Sequence, residues 1–141
     1  MERSLVLIKP DAMRVGLAGA IISRLEKLGL RVVALKMLHM DKDLAQRHYA
    51  VHKDKPFYQR LVNYMTSSPV IAIVFEGEEA VGVIRKAIGA TDPTKAEPGT
   101  IRGDFGSDIE RNAIHGSDSM ETAEEEIKLF FVEDEIFSAG K

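Results

Sequence analysis

The run Leu5-Val6-Leu7-Ile8 is apolar at every position, too short for a helix, and shut off by Lys9-Pro10-Asp11. Apolar side chains on consecutive residues point to both faces of a strand, so the pattern reads as a central strand that leaves Lys9 at its carboxyl end. Val70 to Phe75 repeats the pattern and stops at Glu76-Gly77, while Val32 to Met40 is rich in branched and long apolar residues and forms a further strand.

The segments between these strands carry helical spacing. Ala20, Ile21, Ile22, Leu25 and Leu28 recur on one face and end at Gly29, a C-cap. Asp41 and Asp43 open a short helix expected to carry His48, Tyr49 and His52. After the polar break Lys53-Asp54-Lys55-Pro56, the residues Phe57, Leu61, Tyr64 and Met65 mark another helical face, and Ala80, Val81, Val83, Ile84 and Ile88 mark one closed by Gly89. A long irregular segment from Ala90 to Asn112 follows, of the kind that is functional or disordered in compact domains. A short strand through Ala113 and Ile114 then leads to a last helix near Phe131, for which Thr122 and Glu125 have capping-box spacing, and to a short acidic tail.

This order predicts an α+β fold: a ferredoxin-like, four-stranded antiparallel sheet of split βαβ plan, with helices packed on one side and a long inserted loop. Consecutive crossovers are expected to set strands one and three parallel, and the inserted loop lets the fourth strand reach the remaining edge. Neither a repeat nor a composition break divides residues 1–141, so one domain is expected.

With 45% apolar and 29% charged residues and five prolines, the composition is globular. The absence of cysteine excludes disulfides, zinc-thiolate sites and thiol chemistry. No basic-then-apolar leader opens the chain, and no apolar stretch nears the ~20 residues of a membrane span, so no membrane association and a cytoplasmic location are expected. A net charge of −3 offers nucleic acid no general attraction and leaves anionic ligands to a local cluster of cations.

Both common phosphate cradles are missing: there is no G-x-x-x-x-G-K followed by Ser or Thr, and no G-x-G-x-x-G after a strand. Side chains must then grip any phosphates, and the candidates are Lys9, Arg85 and Arg102. Each alone reads as a solvated cation, but three converging would match a nucleoside triphosphate of about four negative charges partly offset by Mg²⁺. His48 and His52 lie four apart, yet no acid completes an H-E-x-x-H motif, and two exposed polar residues beside a tyrosine is the better reading. Phe57 and Leu61 share a helical face that is more often core than ligand wall, although a Phe at a helix start suits a stacking base.

In Asn112-Ala113-Ile114-His115-Gly116-Ser117-Asp118 one histidine stands between small and polar residues at the predicted strand end. Locally, a turn whose His satisfies a hydrogen bond is the commoner outcome. The segment nevertheless resembles the active-site signature of nucleoside diphosphate kinases, Asn-x-x-His-Gly-Ser-Asp. Further pieces match in order: Ile8-Lys9-Pro10-Asp11, His48-Tyr49, Lys55-Pro56-Phe57, Gly89-Ala90-Thr91-Asp92-Pro93, and Pro98-Gly99-Thr100-Ile101-Arg102-Gly103-Asp104.

The resemblance runs from about Leu5 to Phe131. It implies that His115 accepts the phosphate, that Glu126 and Ser117 orient its ring, and that Tyr49 stands beside it. Lys9, Arg85, Thr91 and Arg102 would contact the phosphates, with Lys9 and Asn112 also at the sugar hydroxyl. Phe57, with Leu61, would form the wall against the base. The resemblance further implies Mg²⁺ held mainly by the nucleotide phosphates rather than by protein ligands, nucleoside triphosphates and diphosphates as substrates, and a homo-oligomer, hexamer ahead of tetramer.

The chemistry agrees with the residue type. A free imidazole near pKa 6.5 is mostly neutral at pH 7 and can attack phosphorus without a strong base, whereas serine would need one. A phosphohistidine predicts ping-pong transfer from ATP or another triphosphate to a diphosphate, and a ring that contacts any base by its face predicts broad base specificity. A regulatory module that senses nucleotides without chemistry is the competing expectation.

Overall fold

The computed structural model describes residues 1–138. Strands β1 (Glu2–Ile8), β2 (Arg31–Leu38), β3 (Val70–Gly77) and β4 (Ile114–Gly116) form one sheet in the order β2-β3-β1-β4, with every neighbouring pair antiparallel. The two unbroken apolar runs occupy the two inner strands: all of β3 and the last five residues of β1 are buried. The predicted four-stranded antiparallel plan is present, with β4 on the outer edge beside β1.

Two expectations are overturned. β1 and β3 are antiparallel rather than parallel. The crossover from β1 arrives at β2, which has β1's direction but lies one strand away, and β3 fills the gap between them. Helices also cover both faces of the sheet, not one. Leu5, Leu7, Ala72 and Val74 pack with residues of α3 (Lys42–His48), α4 (Tyr58–Met65) and α7 (Met120–Phe130). Val6, Ile8, Ile73 and Phe75 pack instead with α2 (Ala18–Glu26) and α5 (Ala80–Ile88). Because successive strand residues face opposite ways, an unbroken apolar strand needs a cover on each side.

Several local boundaries differ from the sequence reading. Pro10 ends β1 but also opens a five-residue helix, α1 (Pro10–Arg14), where proline at the first turn loses no hydrogen bond. α3 begins at the Asp41 cap as expected but stops at His48, and Ala50–His52 continues as a 3₁₀ turn, so His48 and His52 do not share one helix. α7 is capped by Ser119, whose hydroxyl accepts from the Thr122 N–H, and not by Thr122. The segment from Ala90 to Asn112 contains a 3₁₀ turn at Pro93–Lys95 and a short helix, α6 (Ile101–Phe105), capped by Asp92 and Thr100 respectively. The end of the described chain also packs, with Phe137 N–H donating to the Val33 carbonyl at 2.7 Å and Lys36 paired with Glu135.

The edge on which His115 stands is braced from β1. Ser117 extends the ladder past β4: its N–H donates to the Leu5 carbonyl, and its hydroxyl accepts from the Leu5 N–H, each at 3.1 Å. In α6 the Gly103 N–H donates to the Thr100 hydroxyl, and a Cβ on Gly103 would lie 2.2 Å from the Glu97 carbonyl oxygen.

Ser117→Ala orphans the buried Leu5 N–H and should destabilise by about 1–3 kcal/mol in denaturant titration. Gly103→Ala forces backbone apart next to Arg102 and should cost about 1–3 kcal/mol in the same measurement, whereas Gly82→Ala, with open space at its Cβ, should not destabilise.

Candidate active site

The chain enters β4 through a strained turn. Ala113 has φ of 74°, a left-handed value unusual for a residue with a side chain, and Ile114 N–H donates back to the Asn112 carbonyl at 2.9 Å. Such backbone costs on the order of 1–3 kcal/mol and persists where its surroundings over-determine it. Here the Asp11 carboxylate accepts from the Ala113 N–H at 2.9 Å and from the Tyr64 hydroxyl at 2.7 Å, while the Ala113 carbonyl accepts from the Lys9 N–H at 2.9 Å. The turn fixes which way the next residues face. Ile114 is buried in one core, and His115, opposite Leu7, points to the side covered by α3 and α7.

On that side α7 supplies a buried carboxylate. Glu126 Oε2 lies 3.0 Å from His115 Nε2, and Glu126 Oε1 accepts from the Ser117 hydroxyl at 2.7 Å. Burial raises the Glu126 pKa, but the hydrogen bond and charge of His115 and the Ser117 bond outweigh it and hold the carboxyl below its ordinary value. His48, from the last turn of α3, packs its ring edge-on against His115 with centroids 4.7 Å apart. Burial, followed by the nearby charge of His115, pushes the His48 pKa down to about 3, so its imidazole is neutral.

The His115 side chain keeps 22% of its surface exposed and opens onto a cavity of about 620 Å³. Tyr49, Arg85, Thr91, Arg102 and Glu126 line the same cavity. The two arginines differ in setting. Arg102 donates to the Ile114 carbonyl at 2.8 Å, and its pKa is drawn down to about 10 by burial and then by the charge of Arg85. Arg85 is half exposed and paired with Asp118.

Lys9 and Asn112 do not line the cavity but sit behind it, both buried. Lys9 Nζ donates to the Glu110 carbonyl and to Asn112 Oδ1 at 2.8 and 2.9 Å, and Asn112 Nδ2 donates to the Thr91 carbonyl at 3.0 Å. Burial pushes the Lys9 pKa down to about 8. Its charge, with that of Arg102, still contributes to the field there: Arg102 is among the causes of the Lys9 shift, and Lys9 among those of the His48 shift. The structure thus places Arg85 and Arg102 on the cavity wall and Lys9 behind it.

Phe57 stands just outside, its ring 5.4 Å from that of His52, a cavity residue. Leu61 packs at the edge of the core and is away from the cavity. The reading of His48 as an exposed polar residue fails: it is buried, its side chain 1% exposed. The signal was present in the sequence, since Leu44, Ala45 and His48 fall at helical spacing on the apolar face of α3. Asp11 was read only as part of a strand stop, and nothing local marks it as the brace for Ala113.

The metal-capable cluster among the described residues is His48, His115 and Glu126, not His48 with His52. Two imidazoles and one carboxylate are the wrong donors for Mg²⁺, which takes oxygen ligands. This cluster therefore does not fit a resident Mg²⁺.

A sequence model of the family described as nucleoside diphosphate kinase matches residues 2–136. The nucleoside diphosphate kinase of Dehalococcoides mccartyi strain 195 is 57% identical over 136 residues, covering 96% of each chain. That of Archaeoglobus fulgidus is 54% identical over 141 residues, covering all of this chain and 93% of its own. Among solved structures, the halophilic nucleoside diphosphate kinase of Halobacterium salinarum in complex with CDP superposes with a TM-score of 0.95 at 49% identity, covering 97% of this chain and 91% of its own. The Aquifex aeolicus enzyme gives 0.93 at 45% identity, covering 96% and 98%. With the family's fold, and with His115 open to a cavity edged by two arginines, this chain belongs to the nucleoside diphosphate kinase family.

Proposed function

We propose that the chain transfers the γ-phosphoryl group of a nucleoside triphosphate to a nucleoside diphosphate in two half-reactions through phospho-His115. The observation that carries this reading is the pairing of His115 Nε2 with Glu126 at 3.0 Å, beside an open cavity. With Nε2 engaged, Nδ1 is the nitrogen left to attack. Its lone pair forms the N–P bond as the bond from phosphorus to the bridging oxygen breaks, and the diphosphate leaves with that electron pair. The ring gains positive character, which the Glu126 carboxylate offsets, and Ser117 fixes the carboxylate. A second diphosphate reverses the steps.

Arg85 and Arg102 lie where they would meet the phosphates, and Thr91 is on the same wall. Lys9 has used two of its three donors on Glu110 and Asn112, so its charge and its third donor remain for the ligand. The row of rings from Tyr49 through His52 to Phe57 supplies a surface for the base that reads no base edge, which supports broad specificity. Mg²⁺ arrives on the nucleotide. Among the described residues no helix is long and apolar enough to cross a membrane, and a cytoplasmic location belongs to the reading because its nucleotide substrates are there. A homo-oligomer is supported by Leu35 and Met37, exposed on the edge strand β2; hexamer ahead of tetramer is carried over from the family resemblance alone, and sedimentation counts the subunits.

Intact mass after addition of ATP should rise by one phosphoryl group and return on addition of GDP. His115→Ala should show no gain and lose about 10⁴-fold or more in turnover. Turnover at the parent rate in that variant overturns the covalent step, and nucleotide binding without any mass gain in the parent supports the sensing module instead.

Because Lys9 carries its charge only below about pH 8, kcat/KM should fall as pH rises through that value, and Lys9→Arg, charged throughout, should lose the alkaline limb. An unchanged limb in that variant excludes Lys9 as its source.

A further inference from the structure

We propose that His48, His115 and Glu126 form a binding site for a borderline transition-metal dication, Zn²⁺ in the first place, and that the bound ion silences His115. The binding claim stands on geometry alone; the silencing rests on the phosphohistidine reading above.

The three donor atoms lie within 4.8 Å of one another. Glu126 Oε2 is 3.0 Å from His115 Nε2 and 3.7 Å from His48 Nδ1, near the roughly 3.4 Å that separates donors around a tetrahedral Zn²⁺ with bonds of about 2.1 Å. Only the edge between the two histidines has to close. Both ring nitrogens of His48 are buried with no hydrogen-bond partner. A buried imidazole in that state carries an unpaid desolvation cost, which a metal at Nδ1 would offset. The other oxygen of Glu126 is already held by Ser117, the outer-shell arrangement typical of a ligating carboxylate. His115 faces the cavity, so a fourth position is left for water. Two imidazoles with one carboxylate favour Zn²⁺, Co²⁺ or Cu²⁺ over Mg²⁺ and Ca²⁺.

The chemistry of silencing follows from the tautomer. A neutral imidazole holds one proton, so when the metal takes the Nε2 lone pair the proton resides on Nδ1. The lone pair that would attack phosphorus is then absent. No oxidant or further reactant is needed, and removal of the metal restores the parent tautomer.

Co²⁺, a spectroscopic stand-in for Zn²⁺, tests binding without reference to activity. Titration of the full chain with Co²⁺ should give tetrahedral d–d absorption that saturates at one ion per chain and is displaced by Zn²⁺ but not by Mg²⁺. His48→Phe and, separately, His48→Gln should weaken binding at least as much as loss of an outer-shell partner does, roughly 10–100-fold, with folding checked by thermal denaturation. Absorption that is absent, or unchanged in both variants, overturns the site. With ATP present, labelling of His115 should fall in proportion to Zn²⁺ occupancy, should not recover with more Mg²⁺-ATP, and should return with a zinc-selective chelator. Labelling that proceeds at full rate on zinc-loaded protein overturns the silencing. Absence of labelling without any zinc would instead strike the phosphohistidine reading and leave the Co²⁺ result standing.

Discussion

The carboxylate of Glu126 ties the structure together. It is a charge with 7% of its residue surface exposed, on a helix packed over an edge strand, and such a group costs several kcal/mol to bury unless its oxygens are bonded. Ser117 satisfies one oxygen and His115 the other, so the docking of α7 on the sheet and the orientation of the imidazole are one event. Ser117 also bonds the backbone of β1, which makes the innermost part of the sheet, the last helix and the reactive ring a single connected network.

Around that network the sheet acts as a partition. Its α3 and α7 side holds His48, His115 and Glu126, and its α2 and α5 side holds the Ile84 and Ile88 side chains against which Gly116 closes. A Cβ at Gly116 would lie 2.7 Å from Ile88, so the glycine after the histidine is required by close packing of α5 behind β4. The left-handed Ala113 before the histidine serves the same end. Strain on one side and close approach on the other leave the ring little freedom to turn away from Glu126.

Much of this was legible residue by residue. Leu5–Ile8 and Val70–Phe75 announced buried strands through their unbroken apolar runs, Asp41 announced a helix start, and Gly89 announced a helix end, because each signal is local, whereas α2 stops at Glu26, three residues before Gly29. α6 was not legible, since five residues make too little of a helical period to be seen within a long polar segment, although Thr100 was in place to cap it. The confusion of Ser119 with Thr122 as the cap of α7 has a similar origin: both have an acid or hydroxyl three residues on, and only the extended backbone at Ser119, with φ of −154°, decides between them.

The sequence by itself determined the inventory: four strands, the main helices, a histidine flanked by small residues, and cations without a glycine-rich phosphate loop. Those are matters of periodicity, capping and residue type, which act over a few neighbours. Tertiary structure alone decided that β3 inserts between β1 and β2, that helices cover both faces, and that His48 meets His115 and Glu126 in a buried cluster. Those residues are far apart along the chain and share no pattern. They come together because the side chains of an apolar sheet alternate between its faces, and each face must find its own cover.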